Sequence, residues 1–396
     1  MKITYLLLIT WSLLGLACQT AWEMHIIDDT SSGADGAKCY DVDQDGTLEI
    51  VVGWEQGNVV RMYQQLGAGQ WDWLELPAPE VEDVLVADLD GDGFPEVVSL
   101  SEGNTQRISI HWAPDSWDQY WQQEHWLSQD VPVSVGRTRW MFGRAAQIDG
   151  KHGLDLVVGS KDPNGTFGWL QAPANPREMA AWQYHEICPA GWIMSIEVLD
   201  LNGDDAPDLL FTDRKGPHRG LKQAIHPGFE TIGDTTWLIE SLGMEAQEPM
   251  FLGLYSSEED ALSEIWVADH DLGLFGFGRK TDSSQWAMLH ELSFPHQAGR
   301  IGKSVALGDL DGDQRPEIVS SYEGALGRRG VVGTQHPQFF TQPDIFPISG
   351  KAGLKYDFIR LVDLDADGDL DVLTCEEANN GQAGKGLGVI WYKNPR

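Results

Sequence analysis

Along this chain, short apolar runs alternate with acidic, glycine-bearing loops. Ile50-Val-Val-Gly53, Val84-Leu-Val-Ala87 and Val97-Val-Ser-Leu100 are typical: rich in β-branched residues, too short for a helix, and bounded by Asp, Gly and Pro. Such runs predict strands, and the unit of strand, acidic loop and strand recurs throughout. Asp41-Val-Asp-Gln-Asp-Gly-Thr-Leu-Glu49 is the first loop. Asp88-Leu-Asp-Gly-Asp-Gly-Phe-Pro-Glu96, Asp200-Leu-Asn-Gly-Asp-Asp-Ala-Pro-Asp208, Asp309-Leu-Asp-Gly-Asp-Gln-Arg-Pro-Glu317 and Asp363-Leu-Asp-Ala-Asp-Gly-Asp-Leu-Asp371 repeat it. A weaker copy starts at Gln147, with Asp149, Lys151 and Asp155; the weakest starts at Ser256, with Glu258, Asp260 and Glu264. The seven starts, at 41, 88, 147, 200, 256, 309 and 363, give a period of about fifty-four residues.

Each copy has the same internal plan. One strand enters the acidic loop and a second leaves it, and a third follows a Gly turn, as in Ile108-Ser-Ile-His-Trp112 and Gly388-Val-Ile-Trp-Tyr392. A fourth begins with Trp, at Trp71, Trp121, Trp182, Trp237 and Trp286, often with His three or four residues later. Four strands per unit at this period predict a β-propeller blade. The seventh copy stops at Arg396 after its third strand, whereas Trp22-Glu-Met-His25-Ile-Ile27 stands unattached before the first loop and matches Trp182-Gln-Tyr-His185-Glu-Ile187. The expectation is an all-β chain: a seven-bladed β-propeller of four-stranded blades, one domain over 22–396. The N-terminal strand completes the last blade, which removes exposed sheet edges. An open solenoid gives no reason for that complementarity.

The D-x-D-G-D-G-x-x-E/D loop followed by a β run resembles the FG-GAP or VCBS repeat of integrin-α-type propellers, over essentially all of the chain after its first segment. Gly302-Lys303-Ser-Val-Ala-Leu-Gly-Asp309, Asp213-Arg-Lys-Gly-Pro-His-Arg-Gly220 and Trp391-Tyr-Lys-Asn-Pro395 also resemble segments of secreted bacterial propellers. The resemblance implies a fold more than a function, because such propellers include adhesion modules, carbohydrate binders and enzyme domains.

Composition narrows the partners. With 27 Lys and Arg against 61 Asp and Glu, the formal charge of −34 argues against nucleic acid, which needs a basic face. The 44 Gly and 17 Trp suit many tight turns between packed strands. Four Cys are too few for a disulfide scaffold, and buried thiols are the reading for Cys39, Cys188 and Cys375. Met1-Lys2, the apolar run Tyr5–Leu16 and small residues at Gly15 and Ala17 look like a signal peptide over 1–17. Cys18 then raises a lipid anchor, although Gly15 stands where that signal usually carries Leu. No apolar stretch comfortably spans a bilayer, so the expectation is a secreted or periplasmic monomer. Asn164-Gly-Thr166 is a glycosylation sequon, meaningful only in a eukaryotic source.

Alternating carboxylates converge on one point of a tight loop, and a further acid at the ninth position can close the shell. Hard oxygen donors with a Gly at the bend suit Ca²⁺, which takes about six to eight oxygens. The spacing is not that of an EF-hand. Asx turns alone are the plainer explanation of one such loop; five near-complete copies favour metal. The expected ligands are Asp41, Asp43, Asp45 and Glu49; Asp88, Asp90, Asp92 and Glu96; Asp200, Asn202, Asp204 and Asp208; Asp309, Asp311, Asp313 and Glu317; and Asp363, Asp365, Asp367 and Asp371. This makes up to five structural Ca²⁺ sites. Lys151 stands in the middle ligand position of the third loop, where an ammonium replaces the ion, and the loop at Ser256 is left open.

If the acidic loops share one face, the loops between second and third strands lie on the other. There the third and fourth copies contribute Arg137, Arg139, Trp140, Lys161, Trp192, Arg214, Lys215, His218 and Arg219. The last two copies contribute Arg300, Lys303, Glu323, Arg328, Arg329, Lys355, Tyr356, Glu376 and Glu377, and the first two mainly Glu55, Glu82 and Glu102. Cations beside aromatic rings suit an anionic sugar; pairing with neighbouring carboxylates is the alternative. Three functions follow. One is a module binding a glycan or protein ligand on that face, and another is a structural or adhesion role. The third is a lyase or dehydratase acting on anionic or oxidised sugar, with His218 or Tyr356 as base and Glu323 or Glu376 assisting. No nucleophile signature, phosphate loop or zinc spacing accompanies the enzyme reading.

Overall fold

The computed structural model describes residues 20–396 apart from 68, 234, 257–261, 281–284, 341 and 379–385; the expected leader and Cys18 lie outside the described residues. The first strand is β1 (Glu23–Asp28). Then β2 (Ala34–Tyr40), β3 (Glu49–Trp54), β4 (Val59–Gly67) and β5 (Gln70–Pro77) form an antiparallel sheet in that order. The next sheet is β6 (Val81–Ala87), β7 (Glu96–Ser101), β8 (Arg107–Trp112) and β9 (Leu127–Asp130). The third is β10 (Arg139–Ala146), β11 (Asp155–Lys161), β12 (Thr166–Gln171) and β13 (Gln183–Pro189). The fourth is β14 (Ile193–Leu199), β15 (Asp208–Asp213), β16 (Gly220–Ile225) and β17 (Leu238–Gly243). The fifth is β18 (Pro249–Tyr255), β19 (Glu264–Asp269), β20 (Gly273–Arg279) and β21 (Trp286–Ser293).

The remaining strands are β22 (Ile301–Gly308), β23 (Glu317–Glu323), β24 (Val331–Gln335), β25 (Ile345–Pro347), β26 (Lys355–Val362), β27 (Asp371–Glu377) and β28 (Gly388–Lys393). They form two further sets, β22 to β25 and β26 to β28, joined through the single pair Glu323↔Lys355. β1 completes the latter set: it runs antiparallel to β28, with His25 opposite Trp391. The first strands of successive sets pack side by side, and β2 touches both β6 and β26.

Two burial patterns explain why these sequences make these strands. Second strands such as β3 and β7 are buried throughout, so they read as continuous apolar runs covered on both faces. First strands such as β14 bury four residues and then leave three half-open. Those half-open ends line a central channel and lead into the acidic loops. Across its middle, the Phe142 and Phe251 rings meet at 5.8 Å and the Phe251 and Phe358 rings at 5.1 Å, forming an aromatic plug from three non-neighbouring sheets.

The expected Trp at the head of each fourth strand holds at β5 and β21, and Trp182 and Trp237 immediately precede β13 and β17. Trp121 differs. The short helix α1 (Trp117–Tyr120) and a 3₁₀ turn intervene, so Trp126 stands before β9 instead. The recurrent His is a stacking partner: His25 lies 4.5 Å from Trp391 and His185 lies 4.6 Å from Trp169, each directly across from it.

Candidate functional site

The acidic loops follow first strands, so they gather at one end of the channel. Each is wound by its own carboxylates. In the second loop, Gly91 and Gly93 N–H donate to Asp88 at 2.8 and 3.1 Å, and Leu89 N–H donates to Glu96 at 2.8 Å. The loops opening at Asp41, Asp200, Asp309 and Asp363 repeat the bond from the sixth residue to the first. The ninth residue holds the second residue's N–H in every one of these loops.

Carboxylate oxygens of Asp41, Asp43 and Asp45, of Asp88, Asp90 and Glu96, of Asp309, Asp311 and Glu317, and of Asp363, Asp365 and Asp371 lie within 4.8 Å of one another. Glu96 is wholly buried, yet its Oε1 has no hydrogen-bond partner. The donor set and this orphaned oxygen fit a hard cation. The fourth loop is weaker, because Asn202 turns its amide towards Asp204 at 3.0 Å. Protein cations reach two loops: Arg177 Nε lies 2.6 Å from Asp90, and Lys393 contacts Asp365 and lies 2.8 Å from Asp367. In the third loop Lys151 Nζ stands 3.6 Å from Asp149, and the Gln147 amide accepts from Gly150 N–H at 2.9 Å where other loops use Asp. Glu258 and Asp260 lie outside the described residues. Glu264 accepts from His336 Nε2 at 2.9 Å and Trp266 Nε1 at 2.6 Å rather than stapling a loop.

At the opposite end of the channel the charges separate into two sectors. The basic sector surrounds Trp192: Lys161 Nζ, Arg214 and Lys215 Nζ stand 4.5, 4.7 and 4.7 Å from the centre of its ring. Lys161 also pairs with Glu102, and Arg214 with Glu248 at 3.1 Å, whereas among the described residues Lys215 makes no side-chain ion pair. Arg139 lies beside Lys161 in register, and exposed Arg137 covers the Tyr184 ring at 4.3 Å.

The acidic sector holds Glu55, Glu82 and Glu102, with carboxylate oxygens within 4.8 Å of one another. Burial, and then the Glu102 charge, pushes Glu82 up to about 8. Beside them, Lys303 bridges Glu323 at 2.9 Å and Asp357 at 3.3 Å. Burial and the adjacent Asp357 push Asp35 well above the usual carboxylate range.

Several residues expected on this face have other tasks. Trp140 is wholly buried and donates its indole N–H to Ser134 O, so it presents no ring to a ligand. Tyr356 is buried, with its hydroxyl donating to Ala352 O, and Glu376 takes the N–H groups of Leu354 and Lys355. Neither is placed as an accessible acid or base. Lys303 is buried in its ion pairs, Arg328 donates to the His296 and Ala298 carbonyls, and Arg219 to Glu245 O. His218 is exposed beside Cys188, Lys222 and Ser241, in a depression towards the outer strands of its sheet. Glu323 remains on the mouth but is held by Lys303.

Sequence reasoning missed the channel itself. Lys38, Arg144, Glu197 and Arg360 all stand two residues before the end of an inner strand, a position held by Leu85 in β6. Charged residues at one repeat position of otherwise apolar strands were the available signal. The thiols of Cys39, Cys188 and Cys375 are free, and no helix among the described residues is long and apolar enough to cross a membrane.

These sheets, stacked by their first strands around a channel, define a β-propeller. Residues 41–129 match the FG-GAP-like repeat, and that match together with the fold supports an FG-GAP β-propeller. Two solved structures share the fold. One is BBS1N crystallised in complex with ARL6DN, at 11% identity and a TM-score of 0.53, covering 96% of this chain and 97% of that one. The other is virginiamycin B lyase from Staphylococcus aureus, at 13% identity and a TM-score of 0.55, covering 93% of this chain and 99% of that one. No curated protein matches the sequence.

Proposed function

We propose that this protein is an exported, monomeric, seven-bladed propeller, closed by β1 in the last blade and stiffened by calcium. It binds an anionic glycan at the face opposite the acidic loops. Five loops carry the ion: the four convergent carboxylate sets, and the Asp200 loop once the Asn202 amide turns its oxygen inward. The third loop uses its own ammonium instead.

The observation that carries the ligand reading is Trp192 with three cations around one half-exposed indole. A flat apolar ring surrounded by charge supports recognition of a sugar that bears carboxylate or sulfate. Lys161 and Arg214 are already oriented by Glu102 and Glu248, and Lys215 is free to meet the ligand. Binding rather than catalysis is favoured because Tyr356 and Glu376 are committed to backbone partners and His218 stands away from the Trp192 cluster.

The test is calorimetric titration with uronate and sulfated oligosaccharides, in calcium, against a neutral oligosaccharide of equal length. Binding of the charged series, lost in Trp192→Ala and weakened in Lys215→Ala, is expected. Equal binding by Trp192→Ala, or none by any anionic sugar, overturns the reading and leaves a protein ligand as its replacement.

A further inference from the structure

The aromatic plug divides the channel into two chambers, and the chamber on the acidic-loop side holds a group nothing else explains. Its volume is about 230 Å³, and Leu254, Leu307, Phe358, Glu197 and Arg360 are among the residues lining it. The Arg360 guanidinium lies 4.6 Å from the centre of the Phe358 ring on the chamber floor. Among the described residues it makes no hydrogen bond and no ion pair. A second guanidinium, Arg144, stands over Phe142 at 4.9 Å and is held by Glu197 at 2.9 Å. Glu197 therefore pairs directly with one arginine of the two and reaches Arg360 only through its charge.

The chamber is flanked by apolar side chains, and half-buried Arg360 stands there beside a second guanidinium, a setting that favours an anion. Arginine presents a planar fork that matches a carboxylate or phosphate through two parallel N–H donors. The chamber's volume has room for several waters or a small anion. The half-open ends of the inner strands leave this chamber accessible from the acidic-loop side.

We propose that the chamber above the phenylalanine plug binds a small oxyanion, a carboxylate or a phosphate, through Arg360 with Arg144 beside it. This site lies across the plug from the Trp192 face and does not depend on it. Glu197 orients Arg144 and, as a fixed negative charge, limits affinity.

The experiment is titration of the full chain with inorganic phosphate and, separately, malonate, followed by calorimetry and by melting temperature. At least one anion is expected to bind and raise the melting temperature, and which one does distinguishes phosphate from carboxylate as the ligand. Arg360→Met is expected to lower that affinity roughly tenfold or more. Glu197→Gln is expected to raise it. Trp192→Ala leaves it unchanged, which separates this site from the glycan face. Because Arg360 makes no hydrogen bond or ion pair among the described residues and keeps only its contact with the Phe358 ring, Arg360→Met stays close to the wild-type melting temperature in anion-free buffer. No binding of either anion, or equal binding by Arg360→Met, overturns the proposal. A fall in melting temperature for Arg360→Met without anion also counts against it, because it would assign the guanidinium a structural partner.

Discussion

The ion pair between Lys38 and Asp83 should respond to substitution in a way that separates a buried staple from surface charge. Lys38 Nζ lies 2.6 Å from Asp83 Oδ1, with both side chains only 2% exposed. Asp83 Oδ2 also accepts Gly143 N–H at 2.9 Å, and Lys38 stands 4.6 Å from the Phe142 ring centre. One pair thus ties β2, β6 and β10 together at the level of the plug. Asp83→Ala strands the ammonium in the interior and frees Gly143 N–H, at a cost of about 3–5 kcal/mol. The double variant Lys38→Met, Asp83→Leu removes both charges and should lie within about 1 kcal/mol of wild type, or above it.

Proton linkage offers an independent check on the same pair. Burial, opposed by Asp83, lowers Lys38 to about 8, whereas an unfolded lysine titrates at about 10.4. Between these values the unfolded chain binds more protons than the folded one, so this group makes stability rise with pH. Below the window the whole cost of the buried charge is present; above it, none. Urea unfolding followed by tryptophan fluorescence, at a series of pH values between the two, measures both effects. Lys38→Met should flatten the rise. A cost below about 1 kcal/mol for Asp83→Ala, or a double variant as unstable as the single, would refute the buried pair as the tie between these strands.

Glu82→Gln should act in the opposite pH direction. Burial and the Glu102 charge push the folded carboxyl up to about 8, against about 4.3 in the unfolded chain, so wild type loses stability as pH rises through that interval. The glutamine variant should match wild type at the acid end and exceed it above the window, by roughly 1–2 kcal/mol after allowance for partial contact with solvent; the same urea series reads it. Asn394 donates to Leu310 O at 2.9 Å and Leu370 O at 3.1 Å, linking two successive acidic loops. Asn394→Ala should cost about 1–3 kcal/mol and accelerate amide exchange at both loops, measured by hydrogen exchange.

The repeat was legible because its punctuation is chemical: Asp and Gly mark the first turn of each unit, and the strands that follow are continuous apolar runs buried on both faces. β1 was recognisable because its Trp and His spacing copies an internal fourth strand, and its pairing with β28 follows that likeness. The ligand face was only partly legible. Lys161, Trp192, Arg214 and Lys215 come together, but Trp140 and Tyr356 sit in the same loops and turn inwards, since order along the chain does not tell which side of a strand end a ring takes. The plug and the chamber escaped notice for a related reason. Phe142, Phe251 and Phe358 look like ordinary core residues until non-neighbouring sheets converge on one axis.

Calcium content is the direct test of the repeating loops as ion seats. The purified chain would be dialysed against calcium, assayed for bound ion by elemental analysis, and melted before and after chelator. Five ions per chain, a large fall in melting temperature on chelation, and loss of one ion in Asp309→Asn are predicted, while Gln147→Ala leaves the count unchanged. A chain that binds no calcium, or melts identically in chelator, would contradict the account and leave the acidic loops as Asx turns alone.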